Sequence, residues 1–304
     1  MRRWTTGGCR VFALALCAVF LTICASASAQ QPKRMARIGL LALLSRPSPL
    51  EQSFITGLRE LGYIEGQNIS IEYRWAEGSN ERLRAMAQEL VRLNVDVIAA
   101  RATPAVEAAK RATTTIPIVM LGAADAVGSG FVSSLARPGG NITGVTNVMP
   151  ELAGKRLELL REVVPRLSRV AFLAHGGDPA HKLFLKEAEN SAREVRIDFQ
   201  PVTIAGPELL RAAFSGMKKD GAQAVIVQPL FITSLGKGGE IAELAVTSRL
   251  PTVSDGSGFA ETGGLFFYGP DQFPMFRRAA VFVDKILKVP SRRICPLSSR
   301  PNSN

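Results

Sequence analysis

From residue 37 onward, the chain alternates short apolar runs with longer segments whose apolar residues recur every three or four positions. Residues 37–44 form an almost unbroken apolar run, which predicts a strand buried on both faces. Residues 50–61 follow, with Phe54 and Leu58 on one helical stripe, and Gly62 ends that helix. Strands and helices that alternate in this way predict an α/β fold, with a parallel sheet flanked by helices.

The chain repeats this scheme in its second half. Three segments return in the same order about 130 residues later: Arg37–Leu44 at Arg169–Gly176, "VDVIAA" from Val95 at "AQAVIVQ" from Ala222, and "TTTIPIV" from Thr113 at "TSRLPTV" from Thr247. Equal order and similar spacing predict two lobes of like topology. Each lobe is expected to hold a parallel sheet, and a ligand cleft is expected between the lobes.

The pattern predicts four strands in each lobe. They cover residues 37–44, 69–75, 95–100 and 116–121 in the first lobe, and 169–174, 197–204, 222–228 and 251–254 in the second. A helix is predicted over 104–111 and another over 232–249. The Gly- and Pro-rich loops 137–141 and 261–264 are placed between the lobes, where they would act as surface turns or as hinges.

The N-terminus has the layout of a secretory signal peptide. Arg2, Arg3 and Arg10 precede the apolar run Val11–Ile23, and Ala27-Ser28-Ala29 forms an A-x-A cleavage site. The apolar run is short for a membrane span, although an uncleaved anchor is the alternative. We therefore expect residues 1–29 to be removed and the protein to be periplasmic.

Composition narrows the classes of function. Export would remove Cys9, Cys17 and Cys24, so only Cys295 would remain, which excludes an internal disulfide and a cysteine-based metal site. The chain is basic, with a formal net charge of +11, but its Lys and Arg residues are spread out rather than clustered. We expect no nucleic-acid partner, because such surfaces show clustered basic residues.

Catalytic motifs are missing from the sequence. The two histidines, His175 and His181, are six residues apart, which differs from the i, i+4 spacing of a helical metal pair. The sequence has no G-x-S-x-G elbow, no G-x-x-x-x-G-K-[ST] loop and no G-x-G-x-x-G after a strand. We predict no catalytic residue, no metal and no cofactor. A secreted α/β enzyme stays an alternative, and it would require a set of catalytic residues assembled at one site.

Polar residues at predicted strand ends supply a binding site instead. In an open parallel sheet, ligands bind beyond the carboxyl ends of the strands, where helix N-termini offer unpaired N–H groups. The predicted ligand-binding residues are Ser45, Thr103 and Asp125 from the first lobe, His175, Gln228 and Asp255 from the second, and Asn147 near the crossover. Ser45 and Thr103 would hold an anionic group. Phe266, Phe267 and Tyr268 would permit an aromatic ligand, although such residues are more often strand core.

Five segments carry a resemblance to a known family. They are "GLRELGYIEGQNISIEYRWAEG" (57–78), "TTTIPIV" (113–119), "VGSGFVSSLARPGGNITGVTN" (127–147), "GKRLELLREVVPRLSRVAFL" (154–173) and "GGLFFYGP" (263–270). Together they resemble the exported substrate-binding proteins of ABC transporters, a family that includes tryptophan- and tyrosine-type binders. The resemblance runs from about residue 34 to residue 288.

The resemblance implies a two-lobed periplasmic-binding-protein fold and a function. A monomer would capture a small, carboxylated, amino acid-like or aromatic acid between its lobes and deliver it to an ABC transporter permease. The first lobe would cover residues 34–146, with 273–288 returning to it, and the second lobe 147–272. Two alternatives remain: a sensor module that presents the solute to a membrane receptor, and a truncated copy without function.

Two segments depart from the family pattern. Where the family has an Asn-Pro segment after the first strand of the second lobe, this chain has Ala174-His175-Gly176-Gly177-Asp178-Pro179, so the local ligand contact is expected to differ. After residue 288 the chain reads "VPSRRICPLSSRPNSN" instead of continuing with a further strand and helix. This composition predicts a disordered tail over 289–304 and indicates a truncation or frameshift, with lowered stability.

Overall fold

The computed structural model describes residues 35–44, 47–147, 150–256 and 258–288. The predicted signal peptide (1–29), the predicted site residue Ser45 and the predicted tail (289–304) lie outside the described residues.

The first sheet is built from five parallel strands in the order β2-β1-β3-β4-β5. Its strands are β1 (Ala36–Ala42), β2 (Ile69–Trp75), β3 (Val97–Arg101), β4 (Ile118–Ala124) and β5 (Ile142–Asn147). The helices between them are α1 (Pro49–Glu60), α2 (Asn80–Arg92) and α3 (Ala102–Ala112). An apolar cluster covers each face of this sheet, and successive β1 residues alternate between the two clusters. Because both faces are buried, the strand is apolar at consecutive positions.

The second sheet repeats the first. Its strands are β6 (Arg169–His175), β7 (Asp198–Ile204), β8 (Ala224–Val227), β9 (Thr252–Ser254) and β10 (Phe266–Phe267). Its helices are α4 (Ala153–Val163), α5 (His181–Glu194), α6 (Leu210–Lys219), α7 (Pro229–Thr233) and α8 (Gly238–Ser248), with short 3-10 turns at 150–152, 207–209 and 260–262. Read from β7, the order is β7-β6-β8-β9-β10, the topology of the first sheet. The three repeated segments therefore belong to equivalent strands, and the two-lobed α/β prediction is confirmed.

The last helix, α9 (Gln272–Lys288), packs beside α1 on the first sheet. Phe276, Ala279 and Val283 join the same core cluster as residues of β1 and α1. The Tyr63 hydroxyl donates to Asp284 at 3.0 Å, and Arg277 forms an ion pair with Glu60. The chain thus returns to the first lobe through α9, which places the N-terminus of α9 at the junction of the lobes.

The structure corrects several sequence predictions. Each sheet has a fifth strand, β5 and β10, that the apolar pattern did not identify, because these edge strands are only partly buried. The predicted helix over 232–249 is two helices, α7 and α8, separated by a turn in which Gly236 has a φ of 63°. The loops 137–141 and 261–264 precede β5 and β10 within their own lobes, so they are not hinges between lobes.

Candidate ligand-binding site

Two adjoining cavities lie where the two lobes meet. The outer cavity has a volume of about 500 Å³ and the inner one about 40 Å³. Arg101, Thr233 and Gln272 line both. The outer cavity is otherwise lined by Ser48, Pro49, Leu50, Ile232, Gly258, Glu261, Phe267, Gly269, Pro270, Asp271 and Phe273. Because both lobes and α9 contribute walls, this is the cleft that the two-lobed fold predicts.

A buried ion pair forms the first-lobe side of the cleft. Arg101 is the last residue of β3, and its Nε lies 2.7 Å from Oε1 of Glu51 on α1. Both side chains are buried, at 3% and 1% exposure. Burial lowers the pKa of the Arg101 guanidinium, and the negative charge of Glu51 opposes that shift. Arginine stays protonated under such conditions, so the cleft wall carries a fixed cation.

Glu51 also fixes the loop that leads into the cleft. It is the third residue of α1, and its Oε2 accepts hydrogen bonds from the backbone N of Ser48 at 2.8 Å and from the Ser48 hydroxyl at 2.5 Å. The Ser48 hydroxyl in turn accepts from the backbone N of Leu50 and from that of Glu51, and the second of these bonds completes a capping box. One carboxylate therefore orients both the loop and the guanidinium.

Two buried donors in the cleft lack hydrogen-bond partners among the described residues. They are Nη1 of Arg101 and Nε2 of Gln272, both on side chains that line the two cavities. Leaving a buried donor unpaired costs about 1–3 kcal/mol. Because both side chains line the cavities, an acceptor group on a ligand is one group that can supply the missing hydrogen bonds.

The predicted first-lobe residues fall in different places. Thr103 and Asn147 line the inner cavity. The Thr103 hydroxyl accepts from the backbone N of Ala124 at 3.1 Å, and Asn147 Nδ2 donates to the Gly122 carbonyl at 2.8 Å. Asp125 lies outside both linings; its Oδ1 accepts from the Gly128 backbone N at 2.9 Å in the turn after β4. Ligand contact by these side chains stays a prediction.

The predicted second-lobe residues are buried behind the cavities. Gln228 Oε1 accepts from the backbone N of His175 at 2.8 Å, and Gln228 Nε2 donates to Asp178 at 2.6 Å. Burial lowers the pKa of the His175 imidazole, whose Nδ1 accepts from the backbone N of Gly177 at 3.1 Å. Asp255 pairs with Arg156. None of the three predicted residues lines the cavities, whereas their neighbour Asp178 lines the inner one.

Burial of Asp178 predicts a pH dependence of stability. Burial raises the pKa of this carboxyl from 3.8 to about 6, while the hydrogen bond from Ala180 opposes the shift. The unfolded chain releases this proton near pH 3.8 and the folded chain only near pH 6, so rising pH favours unfolding within this window. The expected loss from this group is about 3 kcal/mol.

The Asp178→Asn variant isolates this contribution. The difference in free energy of unfolding between the variant and the wild type, measured by urea denaturation, should move by about 2–3 kcal/mol in favour of the variant between pH 4 and pH 7. Parallel pH profiles for the two proteins would contradict the assignment.

Sequence reasoning missed Arg101, Asp178 and Gln272, which line the cleft, and Glu51, which pairs with Arg101. Two signals were available. Ser48 and Glu51 show the S-x-x-E capping-box spacing, and Arg101 is a charged residue that directly ends an apolar strand. Nothing in local spacing indicates that Gln272 reaches the same cavity.

Two further structural features concern the class of protein to which the chain belongs. Within the part of the chain that the structure describes, no helix is long and apolar enough to cross a membrane. The same residues contain no group of three or more His, Cys, Asp or Glu side chains placed to hold a metal ion.

Two sheets of equal topology around a shared cleft define a two-lobed periplasmic-binding-type protein. A family profile described as "ABC transporter substrate binding protein" matches residues 37–297. The chain belongs to this family. The match extends past residue 288, beyond the end that the resemblance predicts.

The relatives agree with this class. The "Tyrosine-binding protein" of Clostridioides difficile (strain R20291) is 26% identical over 259 residues, which cover 84% of this chain and 74% of the relative. A conserved domain protein from Vibrio cholerae has a TM-score of 0.78 at 24% identity, covering 84% of this chain and 86% of its own. An ABC domain in complex with L-Trp from Streptococcus pneumonia has a TM-score of 0.77 at 24% identity, covering 84% and 85%. The two solved structures confirm the fold.

Proposed function

We propose that this protein is an exported solute-binding protein that captures a small carboxylated organic molecule between its lobes and delivers it to an ABC transporter permease. The observation that carries the proposal is the cavity of about 500 Å³ between the lobes. Sites for small molecules fall between about 300 and 1,000 Å³ and combine apolar walls with a few placed polar groups. Ile232, Phe267 and Phe273 supply apolar walls, and Arg101 and Gln272 supply donors.

The relatives support an amino acid-like or aromatic acid as the solute. One is described as tyrosine-binding, and another as a complex with L-Trp. Both molecules combine an aromatic ring with a carboxylate. Phe267, which the sequence offered as an aromatic contact, lines the outer cavity here, whereas Phe266 and Tyr268 do not.

Contacts between the lobes support capture by closure. Leu230 on α7 of the second lobe is buried in a core cluster made otherwise of first-lobe residues and Leu235. Asn80 on α2 donates to the Gly177 carbonyl of the second lobe at 2.8 Å. These contacts hold the two lobes together in a closed form. The closed form buries a ligand, and it is the form that a permease would recognise.

Removal of the Asn80 contact tests this closure. Asn80→Ala should weaken ligand affinity by about 2–10-fold, because the closed form loses one hydrogen bond worth about 0.5–1.5 kcal/mol. Isothermal titration with the solute that native mass spectrometry identifies measures the change. Asn190→Ala, on α5 of the second lobe, is the control and should leave the affinity unchanged. Equal affinities of wild type and Asn80→Ala would contradict the role of this contact.

Native mass spectrometry of the chain purified from periplasm tests capture. A compact species that retains a small organic acid is expected, and the mass that the bound molecule adds identifies the solute. Deletion of the gene should then lower cellular uptake of that solute. Normal uptake combined with retained binding would instead favour a sensor module. A compact protein that neither retains nor binds any small molecule would contradict the proposal.

A further inference from the structure

We propose that Arg101 and Gln272 form a subsite that binds the carboxylate of the ligand, and that Glu51 is the positioning residue that orients Arg101 for this purpose. The inference rests on the proposed function, which it deepens by assigning the ligand's anionic group to named residues. Its first support is the pair of buried donors, Arg101 Nη1 and Gln272 Nε2, that have no hydrogen-bond partner among the described residues. Both side chains line the same two cavities, and a carboxylate has two oxygens that can accept from them.

The backbone around the cleft favours an anion independently of these side chains. The first residues of three helices line the cavities: Pro49 and Leu50 of α1, Ala102 and Thr103 of α3, and Gln272 and Phe273 of α9. These helices contain 12, 11 and 17 residues. The N-terminus of a helix carries a partial positive charge. The ends of α1 and α9 border the outer cavity and those of α3 and α9 the inner one, so each cavity has two partial positive charges beside the Arg101 guanidinium.

The role of Glu51 follows from the distribution of its hydrogen bonds. Its Oε1 faces the Nε edge of Arg101, and its Oε2 is occupied by Ser48. This arrangement fixes one edge of the planar guanidinium and leaves Nη1 for a second acceptor. Phe276, whose ring centroid lies 5.9 Å from the guanidinium carbon, packs against the same group. Arginine forks of this kind recognise carboxylates through parallel N–H donors.

The surrounding charges favour a monoanion. Glu51 already offsets much of the Arg101 charge, so a dianion such as phosphate would leave two negative charges poorly compensated. The other acidic side chains that line the cavities have other surroundings. Glu261 and Asp271 are exposed at the outer cavity, where Asp271 accepts from the backbone N of Phe273 at 3.0 Å, and Asp178 is held by Gln228 and Ala180. A single carboxylate is the group that the subsite fits.

Matched probe pairs test the subsite on the full mature chain. The pairs are L-tyrosine with L-tyrosinamide, L-tryptophan with L-tryptophanamide, and benzoate with benzamide, titrated by isothermal calorimetry. In the wild type, at least one carboxylate probe should bind about 10–100-fold more tightly than its amide, because the amide replaces a charged acceptor with a group that carries its own donor. The ratio of the two affinities is the measured quantity.

Three variants assign that ratio to the residues. Gln272→Met keeps the side-chain volume and should reduce the ratio by about 5–10-fold. The double variant Glu51→Gln/Arg101→Gln removes both buried charges together, which avoids an unpaired charge that would unfold the protein, and should abolish the preference for the carboxylate. Glu51→Asp shortens the positioning residue and should lower the ratio while leaving amide affinity unchanged. A purely structural role would weaken both probes equally.

The outcomes distinguish a failure of the subsite proposal from a failure of the proposed function. Tight binding of an amide or another uncharged molecule, or an unchanged ratio in the double variant, would overturn the subsite while solute capture stands. A retained ligand without a carboxylate in native mass spectrometry would do the same. Absence of binding for every probe and every retained molecule would overturn the proposed function and the subsite together.

Discussion

Arg156→Met is expected to lower the free energy of unfolding by about 3–5 kcal/mol, which corresponds to a fall of about 10 °C in melting temperature. Arg156 on α4 places its Nη1 3.1 Å from Oδ2 of Asp255, the residue after β9, and both side chains are buried at 1% and 2% exposure. The same Nη1 donates to the Tyr268 carbonyl at 3.4 Å. Methionine fills most of the volume but leaves the Asp255 carboxylate buried without its cation.

Two variants control for this effect. Lys155→Met changes the preceding residue, whose ion pair with Glu158 is exposed, and should alter stability by less than about 0.5 kcal/mol. The double variant Arg156→Met/Asp255→Leu removes both charges and should recover most of the loss, because desolvation of an ion pair offsets most of its attraction. Calorimetry measures all three. If Arg156→Met were as stable as the double variant, Arg156 would not be compensating the buried charge of Asp255.

Gly57→Ala is expected to destabilise the protein by about 1–3 kcal/mol, the cost of overpacking a closely packed interface. A Cβ at this position on α1 would lie 2.4 Å from the carbonyl oxygen of Arg277 and 3.1 Å from Cβ of Ala280, both on α9. Backbone atoms have little room to yield, so the two helices must separate. Because the N-termini of α1 and α9 carry Glu51 and Gln272 to the cleft, the variant should also weaken ligand binding.

Gly216→Ala is the matched control for this prediction. Gly216 is also inside a helix, α6, but a Cβ there would meet nothing within 4 Å. Alanine is the better helix former, so this variant should be more stable by about 0.5–1 kcal/mol. Opposite signs in urea denaturation are expected for the two variants, and a stabilising Gly57→Ala would contradict the close approach of α1 and α9.

Much of the fold could be predicted from the sequence because its information is local. The apolar runs of β1 and β6 identify central strands that are buried on both faces, and their repetition predicts two lobes of one topology. The edge strands were missed for the same physical reason. β5 shows residues of intermediate burial between two buried ends, and β10 has only two residues, so neither shows a clear apolar period.

The candidate site was predicted less well, because strand ends identify a region rather than a side-chain direction. Thr103 and Asn147 follow the strand-end rule and line the inner cavity. His175, Gln228 and Asp255 follow the same rule, yet hydrogen bonds and an ion pair hold them behind the cavity walls. Whether a polar residue faces a ligand or a neighbour depends on partners that are distant in sequence.

The sequence by itself determined the elements, the duplication and the region of the cleft, because residue periodicity and turn chemistry act over a few positions. Only the tertiary structure decided which groups share that cleft. Glu51 from α1 pairs with Arg101 from β3, and Gln272 from α9 lines the same cavities as Arg101 because α9 returns from the second lobe to pack on α1. That docking buries all three side chains together, and burial is what turns an ordinary arginine and glutamine into donors without partners among the described residues.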